Sequence, residues 1–292
     1  MKLITFIYQE EAHIGLLTAD GQNVWPLPDF ADMQELIEQV AIPDIPDYVD
    51  DQCLSLAEVK PMAPIPYPMQ DVICLGVNFL DHAKESARFA GREFHGPREH
   101  PVYFSKRVAR ASADGEPIPW YGQLDDCLDY EAELAVIIGK PARDISEKEA
   151  LDHVFGYTIL NDVSARTLQK QHLQWYRGKS LDGFCPMGPA IVTRDELPEL
   201  SELKIRAYVN GELRQDSSLS QLIFTVPQVI AELSQGITLY PGTIIAMGTP
   251  AGVGMGFAPP RYLKPGDQVT CEIEGIGALS NPVAAVSFAG TY

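Results

Sequence analysis

Apolar and polar positions alternate from the start of the chain. The runs L-I-T-F-I-Y (3–8) and H-I-G-L-L-T (13–18) are short, apolar and bounded by charge, which predicts strands. Asp20-Gly21, between H-I-G-L-L-T-A and Q-N-V-W-P-L, is a hairpin signal. In D-M-Q-E-L-I-E-Q-V (32–40) the period changes: Met33, Leu36, Ile37 and Val40 fall at helical spacing. Pro43, Pro46, Pro61, Pro64, Pro66 and Pro68 then predict an extended connector. The boundary is placed near residue 70, giving a small N-terminal α+β domain over 1–65 and a larger domain over 70–292.

Beyond Asp71 short apolar runs recur: D-V-I-C-L-G-V, E-L-A-V-I-I-G, V-F-G-Y-T-I-L, A-I-V-T, K-I-R-A-Y-V-N-G, T-I-I-A-M-G, Q-V-T-C-E-I-E-G and N-P-V-A-A-V. Glycine and proline punctuate them. Helical spacing is confined to L-D-H-A-K-E-S-A-R-F-A and F-T-V-P-Q-V-I-A-E-L. This balance predicts an α+β, β-rich fold with a mixed sheet in a sandwich- or barrel-like arrangement, not βαβ repeats.

The segment L-D-Y-E-A-E-L-A-V-I-I-G (128–139) places Glu131 and Glu133 at i and i+2 of a strand, on one face. Two such carboxylates repel unless they meet a cation, a proton or open water. Asp162 closes the next strand, beside Asn161, Ser164 and Arg166. Oxygen ligands of this kind favour Mg²⁺, Mn²⁺ or Ca²⁺. A solvated sheet face for the glutamates, and a turn or cap role for Asp162, are the alternatives.

His82 and Glu85 lie three apart in G-V-N-F-L-D-H-A-K-E-S, so on a helix they are neighbours. A carboxylate beside an imidazole makes a general base for water; an exposed surface pair has the same spacing. The following A-G-R-E-F-H-G-P-R-E-H-P reads as a lid. Gln169, Lys106 and Lys179 are further polar candidates. Lys179, in R-G-K-S-L-D-G-F-C-P-M-G-P, has the chemistry to bind a carboxylate or an oxyanion, or to be a solvated loop lysine. Thr249 sits in G-T-P-A-G-V-G, which lacks the lysine of a P-loop. That loop can still offer a hydroxyl and N–H groups to an anion, or be only a tight turn.

Charge and composition narrow the partners. The 292 residues carry 22 Lys+Arg against 40 Asp+Glu, a formal charge of −18, with 46% hydrophobic residues. This is a globular composition. It excludes the basic face that nucleic acid or anionic lipid requires. No apolar run approaches the roughly 18 residues of a membrane span. The N-terminal stretch meets Gln9, Glu10 and Glu11 at once and reads as no secretory signal. Cys53, Cys74, Cys127, Cys185 and Cys271 are odd in number and widely spaced, which predicts reduced thiols in a cytoplasmic protein.

The ordered set G-V-N-F-x-x-H-x-x-E, F-x-K, D-Y-E-x-E-L, N-D-V-S-A-R, G-K-S-x-D-G-F-C-P-M-G-P, N-G-E and G-T-P-A-G-V-G resembles the fumarylacetoacetate hydrolase family. The likeness spans roughly residues 71–286 and points to the branch of acylpyruvate hydrolases, oxaloacetate decarboxylases and hydroxyheptadienedioate isomerases. It implies a mixed β-sandwich roll behind a small N-terminal domain, a homodimer, and Mg²⁺ or Mn²⁺ as cofactor. It implies Glu131, Glu133 and Asp162 as metal ligands, and His82 with Glu85 as the water-activating dyad. It implies Lys179 as the active-site lysine, and Gln169 and Thr249 at the substrate; Lys106 joins them from the F-x-K piece.

The implied substrate is a small keto acid and the implied reaction is hydrolysis of a carbon–carbon bond in an acylpyruvate, through an enolate. Decarboxylation or keto–enol isomerisation of oxaloacetate or a hydroxyheptadienedioate is the alternative, and a non-catalytic binding protein is the rival from another class. Departures from the family pattern are Phe79 for a tyrosine and Leu181 for a phenylalanine. Arg107 and Arg110 are expected to shape a substrate-carboxylate pocket.

Overall fold

The computed structural model describes residues 1–40, 53–89 and 91–286. The connector prolines Pro43 and Pro46 lie outside the described residues. The N-terminal segment carries β1 (Lys2–Tyr8), β2 (Glu11–Leu17), β3 (Asn23–Pro26), α1 (Met33–Gln39), β4 (Leu54–Ser55) and β5 (Lys60–Pro61). Asp20-Gly21 forms the turn of the β2–β3 hairpin, with Gly21 at φ 67°, where a side chain is strained. Asp32 caps α1, accepting from the Glu35 N–H at 2.9 Å.

The remainder begins with β6 (Val72–Gly76), α2 (Leu80–Phe89), β7 (Val102–Lys106), β8 (Ile118–Trp120), β9 (Leu128–Asp129) and β10 (Ala132–Ile138). It continues through α3 (Glu147–Ala150), β11 (Val154–Asn161), β12 (Ser164–Ala165), α4 (Arg166–Gln171), α5 (Tyr176–Lys179) and β13 (Met187–Thr193). It ends with β14 (Lys204–Val209), β15 (Glu212–Ser218), α6 (Val226–Ser234), β16 (Ile244–Ala246), β17 (Gln268–Ile273) and β18 (Gly277–Ala285). The helical spacing at 80–90 and 224–233 becomes α2 and α6, the latter opened by a Thr225/Gln228 capping box.

A large sheet runs in the order β4-β3-β2-β1-β13-β11-β10-β16-β6-β7, with β5 paired to β1. A second sheet runs β15-β14-β17-β18-β8, and β12 pairs with β9. The β16–β6 and β18–β8 pairs are parallel and the other pairs antiparallel, so the sheets are mixed. The central strand β10 is buried along its whole length. Its alternate residues feed two cores, as a two-residue period requires. Leu134, Val136 and Ile138 join Ile205, Ala207, Val269 and Ile273 of the second sheet. Ala135 and Ile137 join Leu3, Ile14, Met33, Leu36 and Ile37 on the other face. The fold is therefore a β-rich sandwich. Its N-terminal strands extend the large sheet through the β1–β13 pairing, Leu3 opposite Ile191.

Candidate active site

The chain turns sharply from β6 into α2. Val77 takes φ 57°, a conformation costly for a β-branched residue and so held by its surroundings. Asn78 is the clamp. Its Nδ2 donates to the Phe224 and Met247 carbonyls at 3.1 and 2.9 Å, and its Oδ1 accepts from the Phe224 N–H at 2.9 Å. The lead into α2 is thereby tied to the residue after β16 and to Phe224. Of the charged residues on α2, Lys84 and Arg88 face outward, whereas His82 and Glu85 are buried. His82 Nδ1 lies 3.0 Å from Glu85 Oε2, and Glu85 Oε1 accepts from the Gly252 N–H at 2.9 Å. A carboxylate only accepts, so Nδ1 carries the proton and Nε2 is the basic nitrogen.

The carboxylates meet because β10 and β11 pair in register, Ala132 opposite Asn161. Asn161 Oδ1 accepts from the Glu131 N–H at 3.0 Å, and the Asp162 N–H donates to the Glu131 carbonyl at 2.9 Å. Ligand oxygens of Glu131, Glu133 and Asp162 lie within 4.8 Å of one another, all three side chains buried. Lys179 Nζ bridges Glu131 Oε2 at 2.7 Å and Asp162 Oδ2 at 2.5 Å. Burial opposes the ionised form of Glu131, but the Lys179 and Arg166 cations outweigh it and hold its carboxyl down at about 2. Glu133 goes the other way: burial, then the Asp162 and Glu131 charges, push it well above the usual carboxylate range. Three buried hard-oxygen donors that are short of positive charge at Glu133 fit a divalent cation such as Mg²⁺, Mn²⁺ or Ca²⁺.

A cavity of about 350 Å³ opens on this cluster. His82, Glu131, Glu133, Gln169, Lys179 and Thr249 all line it. Lys179 reaches it because α5 lies close on α4: a Cβ at Gly178 would sit 2.6 Å from the Gln169 backbone nitrogen. Only glycine permits that approach.

Two expectations are corrected and a third is narrowed. Lys106 does not reach the cavity: it is fully buried, 2.8 Å from Asp162 Oδ1, and donates to the Val163 and Lys179 carbonyls. A buried ammonium requires such partners, and they consume its donors. Arg107 and Arg110 are exposed and do not line the cavity; Arg110 pairs with Glu116 at 2.7 Å. Several N–H groups in and next to the glycine loop are turned inward rather than to an external anion. Gly248 donates to Glu133, Gly252 to Glu85, and Gly254 and Met255 to Asp129. These N–H groups satisfy the protein's own buried carboxylates.

Arg166 was not a sequence candidate, yet it is buried and lines the cavity. Its Nε pairs with Asp129 at 2.8 Å, and its Nη1 with Glu131 at 2.7 Å and Gln169 Oε1 at 3.0 Å. Its Nη2 has no partner among the described residues. The signal available was its i,i+3 spacing to Gln169, which makes the two neighbours on α4.

Comparison with known proteins identifies the family. The profile of the fumarylacetoacetate (FAA) hydrolase C-terminal domain matches residues 71–284. Oxaloacetate tautomerase YisK of Bacillus subtilis (strain 168) is 49% identical over 229 residues, covering 78% of this chain and 74% of that protein. The structure of a fumarylacetoacetate hydrolase from Exiguobacterium antarcticum superposes with a TM-score of 0.83 at 41% identity, covering 98% of this chain and 100% of the other. The 2-hydroxyhepta-2,4-diene-1,7-dioate isomerase of Mycobacterium marinum gives 0.77 at 32% identity, with 98% of both chains covered. A sheet sandwich of this topology, a buried carboxylate trio and a profile match over most of the chain coincide: the protein is an enzyme of the fumarylacetoacetate hydrolase family.

Proposed function

We propose that this enzyme interconverts the keto and enol forms of an α-keto dicarboxylic acid of the oxaloacetate class. The observation that carries the reading is the buried His82–Glu85 pair, 3.0 Å apart, on a cavity it shares with the Glu131 and Glu133 carboxylates. Glu131, Glu133 and Asp162 would hold the divalent cation. That cation supplies Lewis-acid stabilisation of the charge that develops on a keto oxygen. Glu85, steadied by the Gly252 N–H, keeps the imidazole proton on Nδ1. His82 Nε2 then takes a proton from the carbon between the carbonyl groups. A proton returns to the oxygen to give the enol, and the reverse sequence gives the ketone. Arg166 Nη2 and Gln169 present donors to the anionic oxygens, and Lys179 adds positive charge beside them. The likeness to an oxaloacetate tautomerase at 49% identity supports this order of preference over hydrolysis.

A second reading is carbon–carbon hydrolysis of an acylpyruvate, supported by the 41% identity to a fumarylacetoacetate hydrolase. The same Nε2 would take its proton from water instead of from carbon. Either way the enzyme acts on a small keto acid; a cytoplasmic homodimer without nucleic-acid or membrane partners belongs to the same reading. Sedimentation as a monomer would remove the dimer. The deciding test supplies enol oxaloacetate and, separately, acetylpyruvate to the Mg²⁺- or Mn²⁺-loaded enzyme. Fast loss of enol absorbance, slowed at least about 100-fold in His82→Ala with ion binding retained, is expected. Pyruvate and acetate from acetylpyruvate, with no acceleration of tautomerisation, would replace the first reading by the second.

A further inference from the structure

Gln215 stands in β15 of the second sheet and belongs to none of the motifs above, yet it is fully buried against the site. Its neighbours settle the orientation of its amide. Oε1 accepts from the Ala132 N–H at 3.1 Å, a group that only donates. Nε2 donates to the Pro250 carbonyl at 2.8 Å, a group that only accepts. The second N–H of the same nitrogen meets Thr249 Oγ1 at 2.7 Å. A hydroxyl that accepts one hydrogen bond there must direct its own proton elsewhere. Among the described residues Thr249 Oγ1 has no other hydrogen-bond partner, and Thr249 lines the cavity.

We propose that Gln215 is a positioning residue that locks the Thr249 hydroxyl as a hydrogen-bond donor into the cavity, so that the site selects a ligand with a carboxylate oxygen at that point. The inference rests on the keto-acid reading and deepens it. Ala132 lies between Glu131 and Glu133, so one amide ties the segment bearing both carboxylates to the loop bearing Thr249. A neutral side chain in the second sheet thus sets the hydrogen-bonding sense of a cavity-lining group. Gln215→Glu keeps the shape but reverses this sense. Ionised, or with its proton directed at the Pro250 carbonyl, its second oxygen has no proton for Thr249, and the threonine hydroxyl turns to donate to it.

The test is a double-mutant cycle on oxalate binding, followed by calorimetry with saturating Mg²⁺. Oxalate is a planar dianion shaped like an enolised α-keto carboxylate. Gln215→Glu and Thr249→Val should each weaken oxalate about 10- to 100-fold, the worth of one hydrogen bond to a charged acceptor. The double variant should be no weaker than the weaker single one, and Thr249→Ser should bind within a few-fold of the unsubstituted enzyme. Fold losses that multiply would overturn the inference, because Gln215 would then act without Thr249. If Gln215→Glu lacks a cooperative thermal transition, Gln215→Met takes its place in the cycle. Its loss should vanish in the Thr249→Val background, and an equal loss in both backgrounds overturns the proposal. Absence of oxalate binding to the unsubstituted, Mg²⁺-loaded enzyme would overturn the keto-acid reading and this inference together.

Discussion

Glu131, just ahead of β10, and Glu133, within it, are two residues apart, face one cavity and hold opposite protonation tendencies. Glu131 has Lys179 and Arg166 within 2.7 Å; Glu133 has the Gly248 N–H at 2.8 Å and, among the described residues, no cationic side chain at ion-pair distance. Burial and the neighbouring Asp162 and Glu131 charges therefore keep a proton on Glu133 to higher pH than usual. A divalent cation requires the ionised carboxylate, so proton and cation compete below the raised pKa. Binding of Mg²⁺ or Mn²⁺ is expected to release protons at pH values below the raised pKa and to tighten as pH rises. Calorimetry in buffers of different ionisation enthalpy reads this directly, and buffer-independent heats would refute it. Glu131→Ala should remove most of the cation affinity, since one of three charged ligands is lost. Unchanged affinity in that variant would end the ligand assignment.

At the scale of elements, α2 matters through what lies behind it. Glu85 is wedged against the loop after β16: a Cβ on Gly256 would fall 2.1 Å from Glu85 Oε1. The obstructing atom ends a flexible side chain, so Gly256→Ala should fold and push Glu85 away from His82. The expectation is a melting temperature within a few degrees of the original and a turnover lower by about tenfold or more, part of the contribution of a positioned base. Full turnover with normal stability would show that the dyad does not need this support. The helix and its i,i+3 pair were legible in the sequence because helical periodicity is local. The short α4 and α5 were not: they run for six and four residues, too few to display a period, and their packing depends on Gly178.

At the scale of the molecule, the first 65 residues read as a separate small domain from their proline-rich boundary. In the structure β1 adds to the large sheet beside β13, and Leu3, Ile14 and Met33 share a core with Ala135, Ile137 and Ile191. We propose that this segment is a stabilising part of the catalytic fold. A chain beginning at residue 70 would expose the edge of β13 and that apolar face. Such a chain should aggregate or lack a cooperative thermal transition; a soluble fragment with an intact transition would instead establish an independent domain.

Sequence periodicity carried the near-neighbour relations of the longer elements. The two-residue spacing at the start of β10 put Glu131, just ahead of it, and Glu133 on one cavity, and the turn of α2 put His82 beside Glu85. It did not extend to partners chosen across the fold. Lys106 was open to a substrate role until the packing of β7 buried its ammonium against Asp162. Arg166 gained Asp129, and Gln215 gained Thr249, only once strands and loops distant in the chain were set side by side. The physical reason is that a buried charge or amide is defined by the groups that satisfy it. Those groups are delivered by sheet order and register, which no local pattern of residues encodes.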